Sequence, residues 1–146
     1  MKIAIGCDHG GYLLKQDILI WLEENDIDYE DVGCYNTDSV DYPAYGEKVA
    51  RLVAGGECDK GIVICTTGIG ISIAANKVKG IRCALLSDLM SARLTREHND
   101  TNMMAIGAAV VGEGLALEIV DTWLDTEFSH NARHQRRIDK VMALEG

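Results

Sequence analysis

The stretch Gly61 to Lys77, GIVICTTGIGISIAANK, constrains the chain more than any other. Gly61-Ile62-Val63-Ile64 is a short, uncharged, β-branched run of the kind that fills a strand buried on both faces of a parallel sheet. Cys65 ends it, Thr66-Thr67-Gly68-Ile69-Gly70 is small and glycine-punctuated, and Ile71 to Lys77 reads as a helix. Strand, tight loop and helix in that order belong to an open α/β sheet, which binds ligands beyond the carboxyl ends of its strands. There a helix N-terminus offers unpaired N–H groups and partial positive charge, a setting that favours a thiolate and can hold an oxyanion. Gly68 and Gly70 alone are only a fragment of a dinucleotide fingerprint, and no Gly-Lys-Ser/Thr ending follows them. For Cys65 the competing reading is a small buried residue at a strand end.

The rest of the chain repeats the alternation. Lys2 to Gly6 reads as a first buried strand, with Cys7-Asp8-His9-Gly10-Gly11 at its carboxyl end, and Tyr12 to Glu24 as a helix with Leu13, Ile18, Leu19 and Leu22 on one face. Tyr29 to Gly33 is a second strand. Asp41-Tyr42-Pro43, holding the only proline, precedes a helix from Ala44 to Ala54. Strands at Ile81 to Leu86 and Met103 to Ile106, with helices from about Leu89 to Glu97, Val110 to Asp125 and Arg133 to Leu144, complete a single-domain, doubly wound, Rossmann-like α/β fold over 1–146, with a parallel sheet of five strands. At 146 residues and 47% hydrophobic content one core can be filled.

Fourteen Lys and Arg against 23 Asp and Glu give a net charge of −9, which disfavours nucleic acid and anionic membranes as partners. No apolar run reaches spanning length and no signal peptide precedes the first strand, so a cytoplasmic protein is expected. Five cysteines at irregular spacing, without a Cys-x-x-Cys pair, fit a reducing compartment and suggest no zinc site.

The polar groups divide. Asp8, His9 and Cys65 to Gly70 follow strands, whereas His98-Asn99 precede one, which puts them at the opposite end of the sheet. Either they serve a neighbouring subunit's cleft, or the helix before them ends a turn away from where its pattern suggests.

Gly6-Cys7-Asp8-His9-Gly10, Asp41-Tyr42-Pro43, Ile64 to Ser72 with Ala74-Ala75-Asn76-Lys77, Arg96 to Asn102, and Arg133-His134-Gln135-Arg136-Arg137 together resemble the ribose-5-phosphate isomerase B family, whose wider group includes galactose-6-phosphate isomerase subunits. The resemblance runs through the whole chain in order. It implies an aldose–ketose isomerase acting through an enediolate without cofactor or metal, and a homodimer, or a tetramer of such dimers, with shared sites. Carried over by residue, it makes Cys65 the proton-transfer base and His98 the ring opener, assisted by Thr67. The N–H groups of Thr66, Gly68, Ile69 and Gly70 would hold the enediolate. Asp8, Tyr42 and Asn99 would contact sugar hydroxyls, and His9, Arg133 and Arg137 the phosphate. The chemistry supports these roles independently: moving a carbonyl between adjacent carbons needs a base and donors for the enediolate oxygen, and guanidinium groups four apart on a helix suit a phosphate. The chain departs from the family pattern at Ala109, where a phosphate-binding arginine is usual, at Thr66, usually glycine, and at Ser129-His130-Asn131-Ala132, which lacks paired glycines. The substrate expected is ribose 5-phosphate. Another aldose, phosphorylated or free, and a non-catalytic sugar-phosphate-binding module are the alternatives.

Overall fold

The computed structural model describes residues 1–146. Five strands, β1 (Lys2–Cys7), β2 (Asp28–Asp31), β3 (Lys60–Cys65), β4 (Cys83–Leu85) and β5 (Met103–Gly107), form one parallel sheet in the order β2-β1-β3-β5-β4. Six helices join them and follow them: α1 (Tyr12–Glu24), α2 (Tyr42–Ala54), α3 (Ile69–Asn76), α4 (Leu89–Asn99), α5 (Glu113–Asp125) and α6 (Ala132–Ala143). The expected doubly wound α/β sheet is thus present.

The strands are continuous apolar runs because both faces are covered. Ile3, Ile5, Ile62, Ile64, Met104 and Ile106 point to one face, against Ile18 and Leu22 of α1 and Ile119 and Trp123 of α5. Ala4, Val63, Cys65 and Ala105 point to the other, against Val49 and Val53 of α2 and Ile71 and Ala75 of α3. Each fully buried Ile, Leu or Val stabilises the fold by about 1.5–3 kcal/mol relative to exposure, which makes this two-sided burial the main support of the sheet.

The strand order reverses at β1 and β3, which lie side by side with Cys7 beside Ile64. Their carboxyl-end loops therefore flank one crevice, the place where open α/β sheets take ligands. The outer edge of β4 is occupied by a side chain: Asn76 Nδ2 donates to the Cys83 carbonyl at 2.9 Å and its Oδ1 accepts the Cys83 N–H at 2.8 Å. No helix is long and apolar enough to cross a membrane.

Several boundaries differ from the pattern. α2 starts at Tyr42, with Pro43 inside its first turn, because proline lacks only the N–H that a first turn leaves unused. α5 starts at Glu113, three residues late, since Gly112 and Gly114 flank its entry. β4 is three residues, and a short 3-10 turn, His9–Gly11, precedes α1. α4 runs on to Asn99, so His98 and Asn99 are helical.

Candidate active site

Cys65 is the last residue of β3 and is 5% exposed. Its Sγ accepts the Gly68 N–H at 3.1 Å. That amide can turn back on the sulfur because Gly68 is left-handed, with φ +78°, and a Cβ there would lie 2.6 Å from Leu85 Cδ1 and 2.8 Å from the Ile106 carbonyl carbon. Glycine is thus required twice over, by conformation and by space. α3 begins at the next residue without a side-chain cap from Gly68, and its first-turn amides lack intrahelical acceptors. Thr67 Oγ1 accepts the Ile69 N–H at 3.3 Å. A Cβ on Gly70 would fall 2.5–2.8 Å from the ring and hydroxyl of Tyr42, so Tyr42 packs directly on the loop.

The first loop closes against this one. A Cβ on Gly10 would collide with Thr66 Oγ1. Asp8, 5% exposed, spends one carboxylate oxygen on the N–H groups of Gly10 at 2.9 Å and Gly11 at 3.2 Å. His9 Nδ1 accepts the Val40 N–H at 3.1 Å, which assigns the ring proton of the neutral form to Nε2 and leaves that nitrogen a donor. A thiol, an aligned set of N–H dipoles, a carboxylate and an imidazole donor therefore share one crevice. Elsewhere, burial pushes the thiols of Cys7 and Cys83 up to about 12.

The other residues singled out in the sequence gather separately. His98 and Asn99 on α4 and Arg133 and Arg137 on α6 line a cavity of about 820 Å³. His134, to which sequence reasoning gave no role, lies there too. Its ring is 4.2 Å from that of His98, centroid to centroid, and its Nδ1 is 3.0 Å from Ser129 Oγ. Burial, then the charges of His98, Arg133 and Arg137, hold its pKa below the ordinary histidine value. Arg133 and Arg137 take part in none of the six ion pairs, and with Arg82 they outnumber Glu145, the one carboxylate of the lining, so the cavity is net positive in an acidic chain. The segment without paired glycines positions α6: the Ser129 N–H donates to Glu97 O, and Asn131 Oδ1 caps the helix by accepting the Arg133 N–H at 2.9 Å.

The two groups do not meet within the chain. Cys65 pairs with Gly107 and Gly61 with Met103, so the sulfur and the entry of α4 into β5 stand at opposite ends of the sheet. Four residue steps at about 3.3 Å put roughly 13 Å between those ends. Extending α4 by two residues does not close that gap. None of Asp8, His9, Tyr42 or Cys65 to Gly70 lines the cavity that holds His98. No three His, Cys, Asp or Glu side chains converge as a metal site would require.

The parallel α/β sheet, with a cysteine and a glycine-punctuated loop at its switch point, belongs to a class of sugar isomerases once its relatives are considered. Residues 3–141 match the family model described as Ribose/Galactose Isomerase. The putative sugar phosphate isomerase YwlF of Bacillus subtilis is 55% identical over 146 residues, covering 99% of this chain and 97% of its own. Ribose-5-phosphate isomerase B of Escherichia coli is 50% identical over 144 residues, covering 99% and 96%. The solved structure of Clostridium thermocellum ribose-5-phosphate isomerase B superposes with a TM-score of 0.97 at 54% identity, covering 99% of this chain and 97% of that one. The chain belongs to the ribose/galactose isomerase family.

Proposed function

We propose that the chain interconverts ribose 5-phosphate and ribulose 5-phosphate in a homodimer whose two sites are each built from both subunits. The observation that carries the reading is the Cys65 sulfur at the mouth of the β3 loop, with the Gly68 N–H aimed at it. Cys65 takes the proton from carbon 2 of the open-chain aldose, and the electron pair moves toward the carbonyl oxygen. Backbone N–H groups of Thr66, Gly68, Ile69 and Gly70 hold the resulting enediolate. The same proton returns at carbon 1, and the proton of the carbon 2 hydroxyl passes to the carbon 1 oxygen, leaving the ketose with its carbonyl at carbon 2 and a hydroxyl at carbon 1. Donors fixed before the charge develops lower the barrier without reorganisation.

His98 opens the sugar ring, with Thr67 near the ring oxygen. Asp8, Tyr42 and Asn99 hold hydroxyls. Nε2 of His9 and the guanidinium groups of Arg133 and Arg137 hold the phosphate. Two features support shared sites: the separation of the Cys65 and His98 groups within one chain, and exposed apolar side chains beside both of them. These are Ile69, Ile73, Leu85 and Met90 near the first, and Val141 and Leu144 near the second. A coupled assay over phosphorylated and free pentoses and hexoses tests the reading. Turnover is expected to be highest with ribose 5-phosphate, unchanged by a chelator, and lost when Cys65 is replaced.

One feature favours a second reading, a longer or unphosphorylated aldose. Ala109 is exposed and, with Gly10 and Leu13, lines a cavity of about 360 Å³ that has only a methyl group where the family pattern has an arginine. A hexose or hexose phosphate turning over faster than ribose 5-phosphate in the same panel would establish it.

A further inference from the structure

The last carbonyls of a helix have no partner within it, and those of α4 belong to the turn that carries His98 and Asn99. Arg82, just ahead of β4, meets them from the cavity side. Its Nε donates to the Asn99 carbonyl at 2.9 Å and its Nη2 to the Asp100 carbonyl at 2.7 Å. The third nitrogen, Nη1, reaches Met142 Sδ at 3.4 Å. One guanidinium thus joins the end of α4 to α6, the two helices that bring the rings of His98 and His134 to 4.2 Å of each other, tilted by 41°.

Arg82 is itself held in place. Asn102 Oδ1 accepts its N–H at 2.9 Å, and Asn102 Nδ2 donates to the Gly80 carbonyl at 2.8 Å, so the entries to β4 and β5 are clamped together. Arg96 holds the same corner from the inside, through the carbonyls of Thr101 and Thr126. Arg96 is 6% exposed and is not part of the cavity lining, whereas Arg82 is. The geometry of the three Arg82 contacts needs a planar fork of donors, which a lysine ammonium cannot reproduce.

We propose that Arg82 is a positioning residue for His98. It fixes the last turn of α4, and so the imidazole, at the distance and angle ring opening requires. The proposal rests on the role given to His98 above. Misplacement by about 1 Å is enough to cost on the order of 10²-fold in rate.

The test is a cycle of Arg82→Met, His98→Gln and the double variant, with Arg82→Lys alongside and thermal melts on each. Arg82→Met is expected to lower kcat for the aldose roughly 10- to 100-fold with a smaller change in KM. Arg82→Lys should resemble it. In the His98→Gln background the same change should cost less than about 2-fold, because the residue through which it acts is already gone. With the ketose in deuterated water, exchange of a carbon 1 proton per completed turnover should rise in Arg82→Met, since the Cys65 chemistry lies in the other group of residues. A general loosening of the fold would lower exchange and turnover together. Wild-type kcat in Arg82→Met, or an equal cost with and without His98, overturns the proposal; if Arg82→Met does not fold, Arg82→Lys is judged by the same two comparisons. Wild-type turnover in His98→Gln removes the ring-opening reading itself, a failure visible before Arg82 is touched.

Discussion

The Cys65 sulfur has one hydrogen-bond partner in its own chain, the Gly68 N–H, and bonds to no carboxylate or imidazole that could share the proton. Cys65→Ala is therefore expected to reduce turnover by about 10²–10⁴-fold, the range for removing a general base, with an unchanged melting temperature. Cys65→Ser should be nearly as poor, because a hydroxyl ionises far less readily than a thiol. Steady-state kinetics on both variants, with thermal melts as control, checks this. His134 gives a prediction about pH. Its folded pKa lies below the ordinary value because burial and the positive neighbours disfavour a second cation. The unfolded chain then binds more protons than the folded one in the window below the ordinary histidine pKa of about 6.5, so this group's contribution to stability is present above that pH and is lost as pH falls through the folded pKa. Thermal melts should show a steeper fall from about pH 7.5 to about pH 5.5 in the wild type than in His134→Asn. Inorganic phosphate should offset part of that fall, since an anion in the cavity favours the protonated ring.

At the level of elements, the loop from Cys65 into α3 sets the terms. Gly68→Ala costs about 1 kcal/mol or more for the left-handed backbone alone. The methyl would also press on backbone of β5 at 2.8–2.9 Å, so the loss should exceed that figure and take activity with it. Chemical denaturation and turnover measured together test this. Much of this architecture was legible in the sequence because strands buried on both faces must be uninterrupted apolar runs, as KIAIG and GIVI are. Helix ends were less so. Pro43 suggests a stop, yet at a first turn it is accepted, and that shift of two residues puts the Tyr42 ring against Gly70. His134 lies within the basic run Arg133 to Arg137, whose charge masks it. Its signal was spacing: His134 and Ile138, four apart, form the buried stripe of α6, while Arg133 and Arg137 stand one residue off it. Contacts between a strand entry and a distant helix end, such as Arg82 with Asn99, have no signature in spacing at all, because they depend on how α4 folds back beside β4.

For the whole molecule, complementation between subunits is the decisive measurement. Cys65→Ala and Arg137→Ala chains should each be nearly inactive alone. Mixed, they should recover activity, because one of the two sites in a mixed dimer would combine an intact Cys65 with an intact Arg137. No recovery in mixed dimers confirmed by mass would mean that each site is built within one chain. How such molecules keep from associating in other ways follows from Asn76. A strand at the border of a sheet is a template on which a foreign strand can crystallise, the first step toward fibrous aggregates. Here the amide of Asn76 imitates the missing neighbour, filling both hydrogen-bonding positions of Cys83 on a strand only three residues long. Asn76→Ala should leave that border open. Light scattering on gentle heating at high concentration should then rise earlier than in the wild type, well before unfolding. A polar side chain that does no chemistry would in that case decide whether the protein stays in solution at all.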